Sequence, residues 1–430
     1  MTSTALLTDH YELTMLDAAL RDGTATRECV FETFARRLPE GRRYGVVAGL
    51  GRLLEALERF RFGDAELGYL DDHHLVSPTT VAWLATYRFR GEVDAYREGE
   101  LYLPGSPVLS VRGTFAEAVL LETLVLSVLN HDTAIASAAA RMVWAADGRP
   151  LMEFGSRRTH EDAAVAAARA AYVAGFAGTS NLEAGRRYGI PTLGTSAHAF
   201  TLLHDDEDAA FRSQVAAHGA GTTLLVDTYD TFDGLDRAVA AGGTGLGAIR
   251  IDSGDLAADT HRARTMLDAR GATDTRIVLS GDLDEYGLLR LRDVPADSYG
   301  LGTRLVTGSG APTASMVYKL VARATSPGGP LVPVAKSGGA KATVGGRKAA
   351  WRRTIEGTAV TEVLRHWGDP PPVGEGRDLQ VAVIRDGEVA EAPTLDEVRA
   401  HHAMALAELP ASALLLEPGE PAIPTRHEPS

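Results

Sequence analysis

The sequence has a single cysteine, Cys29, in 430 residues. One thiol cannot build a disulfide framework or a four-cysteine zinc site, so no structural zinc is expected. Cys29 reads as a small buried hydrophobe. Positive charge is also short. There are 43 lysines and arginines against 57 aspartates and glutamates, a formal net charge of −14. Such a surface repels nucleic acid and anionic lipid, so neither is an expected partner, and an anionic substrate needs arginines gathered locally. No apolar run reaches the roughly 20 residues of a membrane helix. The best candidate, residues 118–129, is interrupted by Glu122. Residues 1–9 lack the basic segment followed by an apolar one that marks a signal peptide, which makes a cytoplasmic location the expectation.

What is present is the material of an ordinary globular protein: 45% hydrophobic and 23% charged residues, with length enough for two or three domains. Residues 1–113 mix patterns. Helical spacing runs over 46–60, and short strands are expected at 93–96 and 101–103. An Ala/Leu-rich helical stretch follows over 115–146, with Asn130-His-Asp132 a candidate break.

From residue 151 the pattern becomes regular. Short apolar strands are expected at 151–154, 175–177, 190–193, 223–226, 248–251, 276–279 and 298–301. Each runs into a polar or glycine-bearing turn, and the first six turns lead on to a helix. The strands are short enough to be buried on both faces, as in a parallel sheet. A parallel barrel carries its site at the C-terminal strand ends, whereas an open doubly wound sheet binds mainly at one switch point. Consecutive decorated strand ends fit the barrel better. Beyond about 325 the regularity stops. Residues 326–348 read as turns with short strands, 380–388 as a strand entering an Asp-Gly turn, 395–409 as a last helix, and the tail from about 417 as loose.

The polar turns hold the candidate chemistry. His198 ends the run Gly194-Thr-Ser-Ala-His198. A histidine there suits general acid–base work, nucleophilic attack or phosphate acceptance, and equally a satisfied structural role. Arg157, Arg158 and Arg304 follow strands and Arg250 lies inside one. Their guanidinium forks match carboxylate and phosphate, and strand ends would bring them to one mouth. Asp227-Thr-Tyr-Asp230 and Asp252-Ser-Gly-Asp255 place carboxylates three apart. Such pairs bind Mg²⁺, hold ribose hydroxyls, orient a histidine or simply cap helices. Asp252 is the candidate catalytic residue with His198, and Asp255 the candidate for Mg²⁺. Ser280-Gly-Asp282 and Gly300-Leu-Gly-Thr303 are glycine turns where barrels often hold a phosphate.

Taken in order, these runs resemble the nicotinate phosphoribosyltransferase family. The likeness begins with Leu6-Leu-Thr-Asp-His-Tyr-Glu-Leu-Thr-Met15, then Phe31-Glu-Thr-Phe34 with Arg43-Tyr44, then Glu153-Phe-Gly-Ser-Arg-Arg158. It continues through Gly178-Thr-Ser-Asn181, Gly194-Thr-Ser-Ala-His198 and Asp227-Thr-Tyr-Asp-Thr231. Arg250-Ile-Asp-Ser-Gly-Asp-Leu256, Gly300-Leu-Gly-Thr-Arg304 and Val317-Tyr-Lys-Leu-Val321 complete it. The resemblance implies transfer of phosphoribosyl from phosphoribosyl pyrophosphate to nicotinate, with Mg²⁺ as cofactor and ATP hydrolysed through a phosphohistidine at His198. It implies a ligase-type enzyme. Tyr11 and Phe154 would stack on the pyridine ring across a head-to-tail homodimer, with Arg157, Ser180, Thr195 and Arg250 lining the nicotinate pocket. Asp227, Gly281, Gly302, Thr303 and Arg304 would bind the phosphoribosyl group. The implied fold is α/β: an irregular (β/α) barrel over 119–325 and an α/β sandwich assembled from 1–118 and 326–430. Ser180 replaces an aspartate of nicotinamide-using relatives, and an uncharged residue there favours a carboxylate over an amide. The alternatives are a sibling acting on nicotinamide or another pyridine acid, and a non-catalytic relative.

Overall fold

A strand that ends in a glycine or an acid, followed by a helix whose first turn that acid caps, is the repeating unit of residues 151–306. Asn181, Asp206, Asp230, Asp255 and Asp284 each accept a backbone N–H of the helix they precede, at 2.7–3.1 Å. In the computed structural model, which describes residues 2–336, 338, 343–390 and 392–428, the repeats form one of two units. This unit comprises residues 138–312; the other comprises 1–137 and 313–430.

The 138–312 unit is built on a six-stranded sheet. Its strands are β1 Leu151–Glu153, β2 Gly178–Thr179, β3 Thr223–Leu225, β4 Ala248–Ile251, β5 Arg276–Ser280 and β6 Ser298–Leu301. Every pairing is parallel, in the order β2-β1-β6-β5-β4-β3, so the last strand lies beside the first. Helices follow the strands at Glu161–Val173, Leu182–Tyr188, Glu207–His218, Thr231–Gly242, Leu256–Ala269 and Glu285–Arg290. The short helix His198–Leu203 starts at the candidate histidine itself.

Two expected strands differ. Residues 175–177 are not a strand; the paired residues are Gly178 and Thr179, which the sequence reading put in the turn. Residues 190–193 contribute a single parallel bridge, Thr179 to Thr192. Gly178 lies so close to this segment that a Cβ on it would sit 2.6 Å from the Pro191 carbonyl oxygen.

The other unit carries the chain ends. Its seven-stranded sheet is antiparallel throughout, in the order Leu331–Pro333, Met316–Ala324, Glu28–Ala35, Leu109–Thr114, Glu92–Tyr96, Gln380–Arg385 and Glu388–Val389. A four-stranded sheet, Gly376–Asp378, Lys348–Ile355, Thr358–His366 and Thr425–His427, accompanies it. The expected Asp-Gly turn is Asp386-Gly387, both at positive φ, which a two-residue hairpin requires. The last helix is Leu395–Ala407.

The long helix does not break at Asn130-His-Asp132. A short helix Phe115–Val119 precedes an unbroken one, Glu122–Ala145. Asn130 and Asp132 are tolerated because each has a tertiary partner. Asn130 accepts the Met316 N–H at 2.7 Å, and Asp132 pairs with Arg52 at 2.7 Å. By length and hydropathy the stretch Phe115–Ala145 is long enough to cross a bilayer, but 67% of its apolar window is buried in the protein. The seams therefore lie at 137/138 and 312/313, inside this helix and before strand Met316–Ala324, rather than at the expected 118/119 and 325/326. Part of the turn-rich 326–348 segment, residues 337 and 339–342, lies outside the described residues. The tail is not loose over its described length. Leu416 and Ile423 are buried, and Thr425–His427 pairs in parallel with Glu362 to Leu364.

A buried ion pair joins segments far apart in the sequence. Arg352, 1% exposed, donates to Glu362 at 3.0 Å and to the Leu101 carbonyl at 2.9 Å. Glu362 also accepts from the Tyr96 hydroxyl at 3.0 Å and from Ser106. Removing the Glu362 charge leaves Arg352 with Glu100 alone, at 3.8 Å, and breaking a buried pair costs up to about 3 kcal/mol. Glu362→Gln is therefore expected to lower the urea unfolding midpoint well below that of the wild type. An unchanged midpoint would show the pair to be dispensable.

Candidate active site

The C-terminal ends of β3, β4 and β5 and the turn before His198 bring one arginine, two carboxylates, one histidine and four hydroxyls together. Arg250 extends from β4, and its three nitrogens each have a partner. Nε donates to Ser280 Oγ at 2.7 Å, one terminal nitrogen to Asp252 Oδ1 at 2.8 Å, and the other to Thr195 Oγ1 at 3.2 Å. The guanidinium lies 5.5 Å from the centroid of the Phe154 ring, a cation–π distance. Thr195 belongs to the exposed turn that leads into His198.

Asp252 follows β4 directly. Its carboxylate accepts from Arg250 and from the Ser280 hydroxyl. Burial opposes its ionisation. The hydrogen bonds from Ser280 and Arg250, with the charges of Arg250 and His198, outweigh burial and hold the carboxyl below its ordinary range. Asp227, at the end of β3, is buried and braces the same turn. Its Oδ2 accepts the Asp252 N–H at 2.9 Å and the Ser253 hydroxyl at 2.7 Å. Each acidic pair divides its labour: the first carboxylate serves the strand-end cluster, and the second, Asp230 or Asp255, caps a helix.

His198 is the first residue of its helix, and its Nδ1 lies 3.1 Å from Thr228 Oγ1. The remaining ring nitrogen, Nε2, has no protein partner among the described residues. On the β1 side, Glu153 is fully buried. One oxygen accepts the Gly155 N–H, and the other accepts the Thr179 hydroxyl at 2.5 Å. Burial pushes its pKa up against those two bonds. These contacts fix the turn bearing Phe154 and, through the Ser180 N–H to the Glu153 carbonyl at 2.9 Å, the residue after β2.

Two glycines are required by close approach. A Cβ on Gly281, at φ +114°, would sit 2.3 Å from the Asp252 carbonyl oxygen. A Cβ on Gly300 would sit 2.4 Å from the Phe154 ring. The glycines expected to approach a phosphate thus also make room for the arginine–aspartate cluster and for the aromatic ring.

The structure gathers His198, Thr195, Arg250, Asp252 and Asp227 into linked contacts, with Phe154 against them. Gly281 lies beside Asp252, while Gly302 and Thr303 follow β6, with Thr303 opening the helix Thr303–Val306. Arg157 and Arg158 are exposed after β1, and Arg304 is exposed on the helix after β6, a neighbouring strand; among the described residues none of them has a hydrogen bond to the Arg250 cluster. Ser180 is half-buried. Tyr11, on helix His10–Asp22 of the other unit, is 46% exposed; burial and then the charge of Glu122 push its hydroxyl pKa up. Asp255 accepts the Ala258 N–H at 3.1 Å as a helix cap. Sequence reasoning missed Thr228 and Glu153 as participants and read Ser280 only as part of a glycine turn. Their signal, a hydroxyl or acid at the last position of a strand or just beyond it, was present but too common to single out.

A parallel α/β sheet with an arginine, aspartate and histidine cluster at its strand ends defines an enzyme site for an anionic small molecule. Comparison with known proteins is more specific. Residues 6–130 match the nicotinate phosphoribosyltransferase N-terminal domain and residues 150–320 the nicotinate phosphoribosyltransferase family. The chain is 61% identical over 435 residues to nicotinate phosphoribosyltransferase pncB1 of Mycobacterium tuberculosis, covering 99% of this chain and 95% of that one. It is 40% identical over 361 residues to nicotinate phosphoribosyltransferase of Bacillus subtilis, covering 81% and 73%. The crystal structure of human nicotinic acid phosphoribosyltransferase superposes with a TM-score of 0.81 at 26% identity, covering 98% and 97%. The chain belongs to the nicotinate phosphoribosyltransferase family.

One buried acid beside the site has a testable pH signature. Glu207, at the start of helix Glu207–His218, is 4% exposed and lies 3.9 Å from Arg237. Burial raises its pKa from an ordinary 4.5 to about 7; Arg237 opposes this, and Asp208, Asp233 and Asp227 reinforce it. The folded state keeps this proton up to about pH 7, whereas the unfolded chain releases it near 4.5. Its effect is a loss of stability as pH rises between those values, with no further loss above. Glu207→Gln should match the wild-type Tm at pH 4 and exceed it at pH 8, measured by thermal unfolding across that range. Equal melting curves at both pH values would refute the assignment.

Proposed function

We propose that this protein is an ATP-assisted nicotinate phosphoribosyltransferase, acting at the first step by which nicotinate is salvaged into the NAD pool. The observation that carries the reading is the strand-end cluster of Arg250, Asp252, Thr195 and His198 in a chain of this family. The pyridine nitrogen of nicotinate attacks C1 of the ribose in phosphoribosyl pyrophosphate. The N–C1 bond forms as the C1–O bond breaks, and pyrophosphate leaves with its electron pair. Nicotinate lies on Phe154, with Tyr11 from a second copy of this chain on its other face in a head-to-tail homodimer. Its carboxylate meets Arg250 and Thr195, with Arg157 on the rim. Two aromatic faces and a guanidinium suit a flat aromatic acid. Ser180 adds no negative charge, which favours nicotinate over nicotinamide.

The ribose and its phosphate lie toward Asp227, Gly281, Gly302, Thr303 and Arg304. Backbone N–H groups at glycine turns and a helix start suit a phosphate. Among the described residues no group of three or more His, Cys, Asp or Glu side chains forms a metal cage. Asp252 is committed to Arg250 and Ser280, and Asp255 to its helix. The described side chains thus offer no complete cage; Asp227 Oδ1, buried without a hydrogen-bond partner, is the carboxylate oxygen left uncommitted at the site. Mg²⁺ enters here as the counter-ion of the phosphorylated substrates, which suits a cation that prefers phosphate and water ligands.

His198 is the phosphate acceptor in this scheme. Its Nδ1 is held by Thr228, which leaves Nε2 to attack the γ-phosphorus of ATP and release ADP. Water later cleaves the phosphohistidine, returning inorganic phosphate and free imidazole. The cyclic strand order, with a break between the Thr192 bridge and β3, supports an incomplete barrel. The interleaved chain ends support a sandwich domain built from both of them.

The decisive assay mixes the protein with nicotinate, phosphoribosyl pyrophosphate and Mg²⁺, with and without ATP, and follows nicotinate mononucleotide by chromatography. Product is expected in both mixtures and more with ATP; none in either would refute the activity. His198→Ala should abolish labelling from γ-phosphate-labelled ATP while leaving ATP-independent synthesis detectable. A variant that still takes up label would exclude His198 as the acceptor.

A further inference from the structure

Ser280 is the last residue of β5 and 3% exposed. Its hydroxyl accepts from Arg250 Nε at 2.7 Å and donates to Asp252 Oδ1. Arg250 closes the triangle by donating from a terminal nitrogen to the same Asp252 oxygen at 2.8 Å. Nε and that terminal nitrogen form one edge of the guanidinium, so this edge is fully occupied. The other terminal nitrogen points to Thr195, in the exposed turn before His198, at 3.2 Å. The Phe154 ring centroid lies 5.5 Å from the guanidinium carbon. An arginine held along one edge cannot rotate about its last torsion without breaking two hydrogen bonds to buried or half-buried partners. Only the terminal edge, beside Thr195, remains to receive a planar anion.

We propose that Ser280 is a positioning residue that selects for a carboxylate-bearing base, by locking the Arg250 fork so that its terminal edge faces the substrate carboxylate. This rests on the reading that Arg250 holds the carboxylate of nicotinate. Ser280 touches no substrate itself. It acts through Arg250, and its second bond is to Asp252, the carboxylate that Arg250 also holds. A hydroxyl is the smallest group able to accept from Nε and donate to a carboxylate at once. Alanine removes both bonds, leaves Arg250 Nε without its buried acceptor, and frees the fork to turn.

The test compares wild type, Ser280→Ala and Ser280→Thr with nicotinate and with nicotinamide. Circular dichroism and thermal melting first establish that each variant is folded. Ser280→Ala should raise KM for nicotinate about tenfold or more, the scale of one lost charge-assisted hydrogen bond, while KM for phosphoribosyl pyrophosphate changes little. The ratio of kcat/KM for nicotinate over nicotinamide should fall by a similar factor. Ser280→Thr, which keeps the hydroxyl, should recover most of the loss. A second readout is the pH profile. Asp252 is faced by Arg250 from its own strand, by His198, and by Asp227 through its backbone N–H. Losing the Ser280 bond raises its pKa, so the acid limb of kcat/KM should move to higher pH in Ser280→Ala. An active wild type with an unchanged nicotinate KM and ratio in Ser280→Ala would overturn the inference and leave the activity standing. An equal loss with both bases would overturn it too. A wild type that makes no product from nicotinate would instead refute the activity, and this inference with it.

Discussion

The hydrogen-bonded triangle of Arg250, Ser280 and Asp252 is the constraint on which the site depends. It ties β4 to β5 at their C-terminal ends and presents one guanidinium edge toward the turn of His198. Everything around it makes room. Gly281 has no side chain because the Asp252 carbonyl occupies that space, and Gly300 has none because Phe154 does. Asp227 spends one carboxylate oxygen on the turn that carries Asp252 and Ser253. In a protein of net charge −14, one well-placed arginine with its own counter-charge is how a local site for an anion is built.

Much of this was legible in the sequence because parallel-sheet proteins put their chemistry where a strand stops. The alternation of short apolar runs and acid-bearing turns located five of the six strands closely and placed a helix after each of the first six turns. It named His198, Arg250, Asp252 and Asp227 as candidates before their contacts were known. It was less informative wherever tertiary contacts override local pattern. Thr228 and Ser280 are ordinary hydroxyls until the neighbouring strand is in place. Gly178 looked like a turn residue, yet it is paired in β2, because the Pro191 carbonyl packs where a Cβ would be. The convergence of four arginines was an inference from strand ends alone. Among the described residues, Arg250 is the one of the four with hydrogen-bond partners in the cluster, while Arg157, Arg158 and Arg304 are exposed beyond the ends of β1 and β6.

The second unit was harder to read because its pairings are remote in sequence. Asn130 and Asp132 looked like helix breakers, and each is satisfied by a partner that periodicity cannot reveal: the Met316 backbone and Arg52. The tail looked loose from its prolines, yet Leu416 and Ile423 are buried and Thr425–His427 completes a sheet edge. Proline in this segment marks an irregular path rather than an absence of order.

The interleaving of the two chain ends has a consequence for synthesis. The strand Glu28–Ala35 emerges early from the ribosome, but one of its neighbours is Met316–Ala324; Phe31 must wait for Leu320. Glu362, which accepts from Tyr96 and neutralises Arg352, comes later still. The 138–312 segment, by contrast, contains every strand of its own sheet and can close as soon as β6 is made. The nascent chain therefore carries an early apolar segment with open strand edges while the middle is completed. Such a segment is exposed to mispairing for most of translation. The order in which this protein becomes safe from aggregation is middle first and both ends together, last.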